Sequence, residues 1–500
     1  MKMADEQAEN QGATLEASDS DSLLDSIADA TGIGAGSEGY EKAKRGIGEL
    51  VRILVQEERT EERVQGGLID TLIGEIDRKI GAQLDAVLHH EDFQKLESAW
   101  RGLEYLVKHT DFRENCRVEM LNVSRQDLAD DFADAPDITM SGLYKTVYSA
   151  EYGVFGGEAY GAVVGNYAFG PSNPDINLLR DIASVSAMAH APFIGSADTT
   201  FFPNMDGDFQ KLPNLKDLDS IFEGPQYARW RGFRESEDAR YVGLTMPRFL
   251  LRAPYHPEDN PVKDLHYEEQ LDGEHDNYLW GNSAVLFASR LMESFATYRW
   301  CANIVGPEGG GAVVDLPTHS YEAMGQIESK IPTEALLTDR REFELSEQGF
   351  IPLVIRKGSD NAAFFSANSV QRPKRFPNTA EGRVAQANFK LGTKFPYMFL
   401  INRLAHYVKV MQREKIGAGV SREELQRQLR DWIAQYVSDQ ENPPAGIMAR
   451  YPLRQADITV EDIDGDPGWY KVSINVSPHF KYEGGDFELS LVAREKAGSD

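Results

Sequence analysis

Three groups of residues in this 500-residue chain have side chains that could do chemistry. The first is His89-His90-Glu91-Asp92. Imidazoles beside carboxylates suggest metal ligation. Neighbours on a helix point about 100° apart, so His89 and His90 cannot easily face one metal, and a solvated helix surface is expected. The second is His256, His266 and His275, set among eight Asp and Glu between residues 256 and 276. Their spacing fits no zinc site, and a solvent-facing acidic loop is expected. The third is Gly306-Pro307-Glu308-Gly309-Gly310-Gly311. It lacks the Gly-x-Gly-x-x-Gly spacing of a phosphate cradle and carries a negative charge, so a tight turn with unusual backbone angles is expected.

The familiar catalytic signatures are absent. There is no Gly-Lys dipeptide for a P-loop, no Gly-x-Ser-x-Gly elbow and no His-Glu-x-x-His zinc helix. The two cysteines, Cys116 and Cys301, are far apart in sequence and are expected to be buried free thiols. No catalytic, cofactor-binding or metal-binding residue is therefore assigned. A hydrolase or transferase using a central α/β region is the weaker reading. A protein that works through its surfaces is the stronger one, either as a polymer subunit or as a scaffold or adaptor that does not polymerise.

Charge points the same way. The formal net charge of −28 repels nucleic acid. It is unevenly spread: residues 1–38 carry nine acids against one lysine, whereas residues 372–430 carry thirteen Lys and Arg against four Glu. That basic stretch reads either as helix faces paired with acids of the same chain or as a surface for an acidic partner, and the sequence leaves both open. No run of 18 apolar residues suggests a membrane span, and the acidic N-terminus does not resemble a secretory signal, so a cytoplasmic location is expected.

The elements that would position such surfaces are read from periodicity. Residues 1–39 form an acidic tail expected to be disordered, interrupted by Leu23, Leu24 and Ile27 on one face of a short helix, a handle that could fold in a partner's groove. Residues 40–115 are helical, with apolar stripes that include Ile69, Ile73, Ile76 and Ile80, then Leu96, Trp100 and Leu103. The stripes could pack on each other or on helices of another chain. Residues 116–377 read as a central α/β region. Residues 118–123 alternate like a strand, and strand 160–169, helix 175–190 and strand 192–196 suggest a βαβ unit. A helix is expected over 281–303. Residues 378–494 read as helices over 384–414 and 421–437, with Ser421 as a cap, and then strands; residues 495–500 are a tail. A strand is expected over 451–460. Tyr470, Val472, Ile474 and Val476 alternate with polar residues, as do Phe487, Leu489 and Leu491. This terminal strand pair is the clearest β signal in the chain. The fold class is mixed α/β (α+β), in more than one domain.

Taken together, residues 97–103, 175–194, 301–317, 339–353, 364–374 and 403–417 resemble the TssC/VipB (EvpB) family, and the likeness runs from about residue 40 to 492. That family is the large subunit of the type VI secretion contractile sheath. The resemblance implies a fold like phage tail sheath proteins, with a domain shared with the small sheath subunit TssB/VipA. It implies self-association in a six-fold helical polymer around a tube of Hcp, with baseplate components as further partners. Contraction would propel the tube and its effectors out of the cell. It implies recycling by the AAA+ ATPase ClpV through the N-terminal helix, where Leu23, Leu24 and Ile27 stand. Tyr470, Val472, Ile474, Val476, Phe487, Leu489 and Leu491 would lie on strands shared between subunits. Lys409, Arg413, Lys415, Arg422 and Arg427 are the candidates to face the tube.

Overall fold

The structure is a computed structural model. It describes residues 66–496 other than 264, 324, 416–420, 439, 441–442, 463–468 and 480–490. The handle at Leu23, Leu24 and Ile27, and Phe487 and Leu489 of the terminal pair, lie outside the described residues. The chain divides into two compact units, 1–81 with 262–267, and 82–261 with 268–500. Among the described residues, the first unit holds the leading part of helix α1 (Gly66–Leu88), with Ile73, Ile76 and Ile80 exposed, and a bridge between Val262 and Leu265.

The second unit opens with α2 (Glu91–Lys108) and α3 (Arg125–Asp134). His90 caps α2, its ring accepting from the Asp92 N–H, and Ser124 and Asp127 close a capping box on α3. A π-helix, Lys145–Tyr152, follows. Strand β1 (Val163–Phe169), helix α4 (Asn173–Ala189) and strand β2 (Phe193–Ala197) then make the expected βαβ unit, with β1 and β2 parallel. Ser172 caps α4 and Pro174 sits in its first turn, both favourable there. Short helices α5 (Leu218–Phe222) and α6 (Ala228–Arg234) lead to β3 (Val242–Met246). The small pair β4 (Phe249–Leu250) and β5 (Trp280–Gly281) precedes α7 (Ser283–Tyr298). Next come β6 (Ala312–Val313), the hairpin β7 (His319–Ala323) and β8 (Gln326–Lys330), α8 (Asp339–Glu347), β9 (Phe350–Ile355) and β10 (Ala362–Phe364). The chain continues as α9 (Ala380–Leu391), α10 (Phe395–Lys415), α11 (Arg422–Ala434) and α12 (Ala445–Arg450). It ends in strands β11 (Leu453–Asp462), β12 (Trp469–Pro478) and β13 (Leu491–Lys496).

The main sheet has the order β1-β2-β3-β9-β10-β6. Its first four strands are parallel; β10 and β6 return antiparallel. Strands β2, β3 and β9 are buried along their whole length, as strands covered on both faces must be. One core joins α4, α6 and the aromatic group Phe201, Phe222, Trp230 and Phe350. The opposite core joins Ile194, Ile351 and Leu353 to Phe287 of α7 and Phe395 of α10. Gly243 of β3 allows this approach, because a Cβ there would lie 2.6 Å from the Phe395 ring. A third core packs β11 and β12 against α10 and α11.

Four expectations need correction. Residues 118–123 enter no ladder. The helix over 281–303 is shorter, since Asn282 caps it and Arg299 turns left-handed at φ 69°. The helix over 384–414 breaks at residues 392–394, where Ser369 N–H donates to the Thr393 carbonyl (2.7 Å) and Phe395 N–H to that of Ala367 (2.9 Å). These tertiary bonds compete with the helical ladder. Finally, His89 sits between helices and is partly buried, with Nε2 3.1 Å from Glu269 Oε1. The six-residue glycine loop is the expected tight turn: Gly306 and Gly310 have φ of 78° and 90°, and Gly311 N–H donates back to the Gly306 carbonyl.

Candidate assembly surfaces

Helix α2 presents two apolar faces. On the inner face Gly102 and Leu106 meet Val285 of α7, and Ser98 Oγ donates to the Trp280 carbonyl at 2.9 Å. On the other face Phe93, Leu96, Trp100, Leu103 and Val107 recur in steps of three and four residues. Leu96 and Trp100 are 56% and 58% exposed. Alternating three- and four-residue steps form the seam of a helix that packs knobs-into-holes on another helix.

The same helix is held by buried charge. Arg252 reaches Glu97 (2.9 Å) and Glu269 (2.6 Å), while Arg101 bonds Glu97 and the Tyr255 hydroxyl. Burial opposes ionisation of Glu269, but Arg252, the Tyr255 N–H and His89 outweigh it and hold the carboxyl below its usual range. Glu334 is treated alike: burial is outweighed by His275 at 3.1 Å and by Arg248. The acidic loop is thus not wholly solvent-facing, because Glu269 and His275 are spent inside. Partners 155 and 180 residues apart carry no local sequence signal.

The C-terminal sheet has β12 in its centre. Its ladder with β11 runs from Leu453 opposite Pro478 to Asp462 opposite Tyr470. Its ladder with β13 runs from Trp469 opposite Lys496 to Ile474 opposite Leu491. Val472, Ile474 and Val476 point into the third core, with Ile458, Val460 and α11's Leu425, Leu429 and Ile433. Both edges of β12 from Tyr470 to Ile474 are therefore taken by its own chain. The outer edges of β11 and β13 carry no further strand among the described residues.

The basic candidates separate. Lys409 Nζ donates to the Tyr148 hydroxyl (2.9 Å) and lies 3.6 Å from the centre of the Tyr152 ring. Arg413 donates to the carbonyls of Tyr152 and Val154. Both clasp the π-helix Lys145–Tyr152, so their charge is used within the fold. Arg422 is half-buried between Glu423 (2.7 Å) and Asp462 (3.3 Å). Arg427 stands exposed on α11, and the side chain of Lys415 lies outside the described residues. Arg430 pairs with Asp457 at 3.1 Å.

One cleft, of about 280 Å³, offers no evident chemistry. Its lining includes Asp217, Asp219, Arg340, Phe343, Glu344 and Glu347. Its carboxylates are engaged: Asp217 caps α5, Asp219 takes the Gln348 amide, Glu344 pairs with Arg340 and Arg341, and Glu347 with Lys390. Burial pushes the Cys301 thiol up to about 12, so it is a packing group rather than a nucleophile. No cluster of three metal-ligating side chains occurs among the described residues, and no described helix is long and apolar enough to cross a membrane.

Two family models match the chain. The EvpB/VC_A0108 tail sheath N-terminal domain matches residues 70–371, and the EvpB/VC_A0108 tail sheath gpW/gp25-like domain matches residues 384–494. The type VI secretion system sheath protein TssC1 of Pseudomonas aeruginosa is 43% identical over 431 residues, 85% of each chain. Among solved structures, a chain of the anti-feeding prophage baseplate aligns over 62% of this chain and 64% of its own length, at 9% identity and a TM-score of 0.33, a likeness too slight to carry an argument.

Proposed function

From the premise that the chain belongs to the EvpB/VC_A0108 tail sheath family, whose members are structural sheath proteins, we infer that it is the large subunit of a type VI secretion sheath. In this reading it co-polymerises in the cytoplasm with a small sheath subunit around a tube, in six-fold helical rows that start from a baseplate. Contraction expels the tube and its effectors. A AAA+ ATPase then recycles the contracted form through the helix bearing Leu23, Leu24 and Ile27.

The observation that carries the reading is the outer seam of α2. A helix buried on one face and apolar on the other leaves the second face for another chain. Burying Leu96 and Trp100 contributes about 1.5–3 kcal/mol each before the costs of association. The outer edges of β11 and β13 suit strands of neighbouring subunits, each main-chain bond adding about 0.5–1.5 kcal/mol. Tyr470, Val472, Ile474 and Val476 then act as the spine that holds those edges. Arg427 is the best-placed of the basic candidates to meet the tube, with Arg422 beside it.

Co-expression with the small subunit tests this. Leu96→Asp with Trp100→Asp leaves the melting temperature of the chain near its starting value, because both side chains already face water. The double variant no longer co-purifies with the small subunit and yields no pelletable tubules. Retained co-purification at wild-type yield overturns the assignment of the seam.

A further inference from the structure

Arg234, the last residue of α6, is a buried charge whose hydrogen-bond partners are all neutral. It is 4% exposed, and its guanidinium donates to the Val370 carbonyl (3.0 Å), the Gln348 side-chain oxygen (2.9 Å) and the Glu347 carbonyl (2.8 Å). It makes no ion pair among the described residues. A buried charge without a counter-charge is costly. Burial accordingly pulls the guanidinium down to about 10, with Arg372 adding to the effect and Glu347 and Asp219 opposing it. A second unsatisfied group lines the same cleft. Ser369 is 1% exposed, and its Oγ has no hydrogen-bond partner among the described residues, although its N–H is engaged with the Thr393 carbonyl. Lys390 and Lys394 complete the wall. Three cations thus face one carboxylate, that of Glu347, which pairs with Lys390 at 3.6 Å. Gly349 keeps the wall thin: its φ is 85°, and a Cβ there would lie 3.3 Å from an Arg234 guanidinium nitrogen.

We propose that this cleft binds one small anion, with chloride as the fitting ion, between the Arg234 guanidinium, the Ser369 hydroxyl and the ammonium groups of Lys390 and Lys394. The proposal is independent of the sheath reading. The cleft has a free volume of about 10 Å³, room for a single atom-sized guest and too little for a phosphate or a nucleotide. A water fits as well and would also serve Asn368 Oδ1, which has no partner either, but it leaves the guanidinium uncompensated. An anion accepts the Ser369 O–H and supplies the missing charge in one step. A carboxylate from another chain is the second source of the same charge, and it can arrive only on assembly. The walls come from the end of α6, the turn between α8 and β9, the segment 368–373 and the break between α9 and α10. One ion therefore ties together four segments that are far apart in sequence.

The line width of the chloride NMR signal, measured with the full chain, tests this. Bound chloride broadens the line in proportion to the amount of chain, and bromide, which competes for the same site, sharpens it again. Ser369→Ala keeps the charge but removes one donor, and weakens chloride binding by about five- to ten-fold. Arg234→Met abolishes the broadening. Circular dichroism first checks that this variant is folded; if it is not, Ser369→Ala decides alone. Absence of broadening in the wild type gives the cleft to water and overturns the proposal. Equal broadening in the wild type and in Ser369→Ala places the ions on surface lysines and arginines and overturns it too. Broadening that is present in the free chain and vanishes in assembled polymer upholds the site and shows a neighbour's carboxylate displacing the ion.

Discussion

His406 and His190 show how much a single side chain depends on where the fold puts it. His406 Nε2–H donates to the Ala189 carbonyl at 2.9 Å, and its ring lies edge-on to Tyr152 at 4.9 Å and to His190 at 6.2 Å. Burial drives both imidazoles toward the neutral form, to about 3 for His406 and about 4 for His190, and nearby Lys409 adds to the effect. The unfolded chain takes up these protons near pH 6.5, while the folded chain refuses them until about 4. Stability is therefore full above pH 6.5 and falls as pH drops toward 4, by up to about 1.4 kcal/mol per pH unit for each histidine. Urea midpoints measured from pH 7.5 to 4.5 should trace this decline, and His406→Phe should flatten it. An identical slope in the variant would mean that His406 is not held neutral. Neither histidine stands in a recognisable motif, and nothing local marks them. The residues that did stand in motifs, His89 and His275, became partners of buried glutamates instead.

At the level of elements, periodicity identified what each segment is more readily than what it pairs with. The alternation at 470–476 is a strand, but its neighbours on both sides could not be read, because strand pairing joins segments that share no local pattern. Residues 118–123 show the converse, a strand-like sequence that enters no ladder among the described residues. The break at residues 392–394 arises from tertiary contacts that override helical preference. Because β12 is central, its inward side chains carry the C-terminal core. Ile474→Ala should cost about 2–4 kcal/mol, with its neighbour Ser473→Ala costing under about 1 kcal/mol, as read from denaturant midpoints. Equal, small effects at both positions would show that the sheet does not pack as described.

For the whole molecule, composition excluded more than it assigned. A chain of net charge −28 still carries an exposed cation, Arg427, on α11, while Lys409 and Arg413 of the same basic stretch bind within the fold. Lys409 belongs to the fold, so Lys409→Met should lower stability by about 1–2 kcal/mol and leave the salt dependence of assembly unchanged. Arg427→Glu should do the opposite: stability holds, while polymer pelleted with tube protein drops at low salt and converges with wild type at high salt. A wild-type salt curve for Arg427→Glu would return that residue to plain solvation. The central position of β12 also decides how the C-terminal sheet bears load. In an antiparallel ladder the hydrogen bonds lie across the strands. A pull along β13 is shared by the whole register from Trp469–Lys496 to Ile474–Leu491 and must shear it at once, whereas a pull at right angles would peel it one pair at a time. The sheet is strong along its strands and weak across them, so the direction of a neighbour's tug, more than its size, determines whether the strand stays in place.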